Sequence, residues 1–164
     1  MQMQHITGAA PAAIMRNEAD VPMVKIGPGI SVQLLQVDFN HNIRVTRSLL
    51  EPGLRLRKHL HTGFVYAWTL AGSWKYLEYP EVNVANSYLY EPAGSAHTLL
   101  VLPESKEPAD VIFIVNGSNI EYDEDGKYAG VTDAEAIARA YLRSCRELGL
   151  PRPDVIGLPD GWEA

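Results

Sequence analysis

Five histidines occur in the 164-residue chain, and three stand where they can share one ion. His59 and His61 are separated by one residue, and His97 follows the turn Pro92-Ala93-Gly94. Residues two apart on a strand point to the same face with Cα atoms roughly 6.6 Å apart, so both imidazoles of the pair can reach one point. The third must come from a neighbouring strand, which an antiparallel sheet supplies. Three imidazoles with open positions form a catalytic site for zinc and are compatible with iron, nickel, manganese or copper. Neutral imidazoles leave a divalent ion its full double charge. Such a site favours an anionic bidentate ligand, of which enolised α-hydroxyketones and β-diketones are examples. With zinc and water on the same residues, the expected chemistry is hydrolysis or elimination instead. His5 and His41 are read as ordinary, His41 because it sits in an Asn-His-Asn turn.

Other side chains are candidates for work beside the histidines. Glu78 and Glu91 fall in β segments and are the acids available to act as base or to orient a ligand histidine. Arg55 shares the odd-number parity of His59 and His61, which points it inward with them to pair with a substrate anion. Tyr66, Trp68, Trp74 and Tyr76, continued by Tyr79, Tyr88 and Tyr90, make an aromatic belt suited to lining a pocket for a flat substrate. The acidic run from Glu121 to Asp125 lacks the twelve-residue calcium-loop pattern and reads as a solvated turn.

The elements that must position these groups are legible from periodicity. Short apolar or alternating runs (31–39, 43–50, 65–70, 74–79, 87–90, 98–102 and 111–115) are punctuated by turn residues such as Pro52-Gly53, Ala71-Gly72-Ser73 and Asn116-Gly117. This predicts an all-β sandwich or barrel over 26–131, preceded by an arm over 1–25. The period then changes to about 3.6, with Ala134, Ile137, Ala138, Tyr141, Leu142, Cys145 and Leu148 on one face. One amphipathic helix is expected over 132–149, with Thr132 and Glu135 as a capping box and Gly149 with Pro151 as its stop. An extended tail over 150–164 follows, with Trp162 docked.

Composition excludes several functions. Twenty acidic against fourteen basic residues give a net charge of -6, which disfavours nucleic acid and anionic membranes as partners. Cys145 is the one cysteine, so no intramolecular disulfide forms and thiolate metal-site spacings are absent. The first twenty residues lack the basic start and apolar run of a secretory signal, and the expected location is the cytoplasm.

The spaced histidines also carry a family resemblance. Gly53, His59, His61 and Gly72 follow the first motif of the cupins, and Pro92, Gly94 and His97 follow the core of the second. Val65 stands where the first motif carries a metal-binding glutamate, Val101 where the second ends in asparagine, and Asn86 where the second begins with glycine. From Pro52 to Leu99 the phrases H-x-H-T-G, Y-x-W-T-L-x-G-x-W-x-Y-L-E-Y and Y-E-P-A-G-x-x-H-T resemble the small cupins typified by 2,4'-dihydroxyacetophenone dioxygenases, with several phrases shared by ChrR-type sensor cupins. The resemblance implies a double-stranded β-helix, or jelly-roll barrel, and a homodimer. It also implies Fe(II) held by His59, His61 and His97 without the glutamate. The implied reaction is O2-dependent carbon-carbon cleavage of an aryl α-hydroxyketone. A non-catalytic metal- or ligand-sensing cupin is the other reading it leaves open.

Overall fold

The computed structural model describes residues 12–163, so His5 and the beginning of the expected arm lie outside the described residues. The turn residues divide the chain into thirteen strands and, among the described residues, one helix. The main sheet has six strands in the order β1 (Val24–Gly27), β2 (Ile30–Asp38), β3 (Ile43–Leu50), β11 (Ala109–Asn116), β5 (Val65–Ala71) and β8 (Tyr88–Glu91). A second sheet orders β10 (Leu99–Val101), β6 (Ser73–Tyr76) and β7 (Val82–Val84). The third orders β13 (Tyr128–Thr132), β12 (Asn119–Tyr122), β4 (His59–His61) and β9 (Ala96–His97). All these strand pairings are antiparallel, and the result is a cupin fold with a C-terminal helix, as the motif spacing led us to expect.

Two apolar clusters hold the layers together. Leu50, Ala67, Ala109 and Val111 of the main sheet pack against Trp74, Tyr76, Leu99 and Val101 of the second. Closure depends on Gly72, which turns β5 into β6 with a φ of 69° and lies so close to the Pro108 carbonyl that an added Cβ would stand 2.3 Å from its oxygen. A glycine ends the first motif here because no side chain fits.

The helix α1 (Ala134–Glu147) covers β1 and β2, burying Ala138, Tyr141, Leu142 and Cys145 against Val21, Val24, Leu34 and Val37. The end of the expected arm is therefore part of the core, and Val24 already belongs to a strand. The cap also differs from expectation. Asp133 caps the helix by accepting from Ala136 N at 2.8 Å, while Thr132 donates to Glu121 and Glu135 pairs with Arg139. Thr132 is held in β13 and is unavailable to cap. Leu148 ends the helix exposed rather than on the buried face, and Trp162 docks on Phe39 at 5.0 Å between ring centroids.

Candidate metal centre

Register brings the three histidines together. His59 pairs with His97 across β4 and β9, and His61 donates its backbone N–H to Ser95 O and accepts from Gly94 N, so the Pro-Ala-Gly turn is pinned to the H-x-H strand. All three imidazoles are buried, and their ligand atoms lie within 4.8 Å of one another. His59 Nδ1 donates to the Arg57 carbonyl at 2.9 Å, which leaves the Nε2 lone pair free. Burial, opposed by that carbonyl and aided by the neighbouring His61 and His97, pulls the His59 pKa down to about 4, so the ring is neutral near pH 7.

A carboxylate stands beside them, that of Glu91, one of the two acids singled out in the sequence. Glu91 is 4 % exposed, and its Oε2 lies 2.9 Å from His61 Nε2 and 3.2 Å from His97 Nε2. Neither contact is aligned as a hydrogen bond, so Glu91 Oε2 and His97 Nε2 are buried without a hydrogen-bond partner. Two donors bound to one ion at about 2.1 Å stand about 3 Å apart, which is the spacing seen here. The unpartnered atoms and the donor set therefore fit a divalent metal. Glu91 Oε1 accepts from the Tyr76 hydroxyl, whose ring stacks on His97 with centroids 3.6 Å apart. Burial would raise the Glu91 pKa, but contacts with His61 and His97 outweigh it and hold the carboxyl ionised.

The site opens on a cavity of about 680 Å³ inside the barrel. Its walls include Ile30, Val32, Leu99, Phe113 and Val115, with Tyr76, Glu91, His59 and His61 at one side. Several expected residues lie elsewhere. Tyr66 and Trp68 do not line it: in β5 the small Val65, Ala67 and Thr69 turn inward, leaving Tyr66 and Trp68 on the outer face beside Tyr88 and Tyr90. Trp74 is fully buried, donates to Thr69 Oγ1 and packs edge-on to Tyr76 in the core. Glu78 binds Thr98 through the backbone N–H at 2.8 Å and the hydroxyl at 2.9 Å, next to His97 in sequence but outside the cavity wall. Arg55 does reach the cavity, at its rim, where its side chain is more than half exposed and lies 3.9 Å from Glu124.

Sequence reasoning missed Arg44, Thr46, Ser48 and Asn119, all of which line the cavity. The signal was present in β3, where the buried residues Arg44, Thr46 and Ser48 alternate with Ile43, Val45 and Arg47. The polar set faces in, against the usual expectation for a barrel.

This barrel, with the two imidazoles of the first motif lining its cavity and that of the second packed beside them, defines a cupin with the donor set of a metal site. Residues 11–121 match the family model of the ChrR cupin-like domain, and the chain belongs to that family. A protein of unknown function with a cupin-like fold from Ralstonia eutropha is 29% identical, with a TM-score of 0.79 over 93% of this chain and 100% of that one. An acetylacetone dioxygenase from Acinetobacter johnsonii shares the fold at 16% identity, with a TM-score of 0.68 over 88% of this chain and 99% of that one. The anti-sigma ChrR in complex with SigE from Rhodobacter sphaeroides is 15% identical, with a TM-score of 0.50 over 62% of this chain and 51% of that one. No curated protein matched the sequence. No helix among the described residues is long and apolar enough to cross a membrane.

Proposed function

We propose that the chain is a metal-dependent cupin dioxygenase, with Fe(II) as the metal, acting on an enolisable oxygenated ketone such as an aryl α-hydroxyketone. The observation that carries this reading is the buried Glu91 Oε2 beside the imidazoles, at one side of a mostly apolar cavity. His59, His61 and His97 would hold the ion, which supplies the redox chemistry with O2 and the positive charge that stabilises an enolate. Glu91 would add its ionised Oε2 to the three imidazoles as a further donor to the ion, while Tyr76 keeps the other oxygen occupied. The apolar walls position the organic part of the substrate and exclude water. Glu78 acts through Thr98 as a positioning residue for His97, and Arg55 stands at the rim, where it meets incoming anions.

The domain plan we propose is the barrel with its N-terminal arm, a helix that seals it and a docked tail, in a cytoplasmic homodimer. The test is metal analysis of untagged protein, followed by oxygen uptake with aryl α-hydroxyketones and β-diketones. About one iron per chain and uptake that disappears in His97→Ala are expected. Full metal content and activity in that variant would overturn the site. The ChrR family match favours a second reading, a sensing cupin. A regulatory protein released when the metal is removed, with no oxygen uptake, would support it.

A further inference from the structure

The cavity has a cation that the reaction described above does not use. Arg44 projects from the inward row of β3 and is 4 % exposed. Its guanidinium donates to the Gly117 carbonyl at 2.9 Å and to Asn119 Oδ1 at 2.8 Å. Both acceptors are neutral, and they occupy two of the five N–H groups a guanidinium carries. Arg16, Arg47, Arg55, Arg57 and Arg139 each face a carboxylate within salt-bridge distance. Arg44 is more buried than any of them and has no such partner among the described residues.

Nearby acids are committed elsewhere. Asp133 favours the Arg44 charge from a distance, but its side chain caps α1. Glu121 accepts from Thr132 at 2.6 Å and lies 3.7 Å from Arg57, and Glu91 is held by Tyr76 and the histidines. A buried charge is normally paired, because desolvation is costly when nothing compensates it. Burial, opposed by Asp133, pulls the Arg44 pKa down to about 10, which still leaves it charged near pH 7.

The location of this cation relates it to the histidines. Arg44 lies on the row Arg44, Val115, Val65, Glu91 that runs across β3, β11, β5 and β8. Its partner Asn119 is the register neighbour of His61. Thr46 and Ser48, further along the same inward row, add two hydroxyls to the wall.

We propose that the substrate is an acid: its carboxylate pairs with Arg44 while its enolisable oxygens face the histidines. This rests on the reading given above and narrows it, from ketones in general to β-diketones or α-hydroxyketones that carry a carboxylate. A guanidinium recognises a carboxylate through two parallel N–H bonds, and a low-polarity cavity strengthens the pair.

The test is calorimetric titration of zinc-loaded protein, which binds without turnover, using acetylpyruvate and its neutral counterpart acetylacetone. Wild-type protein is expected to bind the acid about ten-fold more tightly or better. Arg44→Gln should abolish that preference without changing acetylacetone binding, and Arg44→Lys should retain part of it. Equal binding of the two compounds by wild-type protein overturns the proposal alone, as does a preference that survives in folded Arg44→Gln. If Arg44→Gln does not fold, a fully retained preference in Arg44→Lys, which keeps the charge but loses the fork, overturns it. Failure of wild-type protein to bind either compound overturns the chelation reading and this proposal together.

Discussion

Val65 and Glu91 are register partners across β5 and β8, both buried, so the strand position that lacks the motif glutamate faces a carboxylate on the adjacent strand. Directly opposed residues have Cβ atoms about 5 Å apart, close enough for one carboxylate to be supplied from either side. Glu91→Gln preserves shape and the Tyr76 contact but removes the charge. It is expected to weaken metal affinity by about 10- to 100-fold, measured by competition with a chelator. The exchange Val65→Glu with Glu91→Val should recover affinity relative to Glu91→Val alone. Unchanged affinity in Glu91→Gln would show that Glu91 takes no part in holding the ion.

Tyr76 joins the core to the site through two contacts, a hydroxyl on Glu91 and a ring on His97. Tyr76→Phe keeps the stack and removes the hydroxyl, leaving a buried carboxylate oxygen without its donor. The expected loss is about 1–3 kcal/mol of stability by urea denaturation of metal-free protein. No loss would mean that water replaces the hydroxyl at Glu91.

The histidine site was legible because its residues are tied to fixed spacings: the H-x-H strand and the turn that returns His97 to it. The aromatic belt was not. Parity states that Tyr66 and Trp68 share a face, but which face turns inward depends on the sheet packed against it, and in β5 the small residues were taken inside. Arg44 is hidden by the same ambiguity, since hydrophobicity alone does not tell that the row Arg44, Thr46 and Ser48, and not Ile43 and Val45, is the buried one. Strands β4 and β9 are short and bear polar residues, so hydrophobic periodicity cannot announce them, although the motifs did. Glu91 became informative once register placed it opposite Val65.

Glu78 gives the site a pH-dependent support. Burial alone would raise its pKa, but hydrogen bonds from Thr98 outweigh this and lower it. A carboxyl whose folded-state pKa is lowered contributes stability above its unfolded pKa and loses it as pH falls toward the folded value. Glu78→Gln should therefore cost about 1 kcal/mol at neutral pH, where the charged acceptor is lost. The difference from wild type should narrow as pH falls below about 4.5, where the carboxyl of the unfolded chain takes up its proton while the folded one stays ionised to lower pH. Thermal denaturation of both proteins between pH 3 and 7 measures it, and a difference independent of pH would contradict the charged contact.

The outer face of β5 and β8 bears Tyr66, Trp68, Tyr88 and Tyr90, with Tyr66 stacked on both Tyr88 and Tyr90. Trp68 is 49% exposed and Tyr88 57%, and β8 is the edge of its sheet. Grouped exposed aromatics beside an open edge are the features of a protein contact surface, and the homodimer proposed above would use this face. Aromatic anchors at interfaces contribute about 2 kcal/mol or more each, so Trp68→Glu with Tyr88→Glu should weaken association by at least about thirty-fold. Because both side chains point away from the cavity, metal content per chain should not change. Sedimentation equilibrium reads the first effect and metal analysis the second; a dimer that survives both substitutions would place its interface elsewhere.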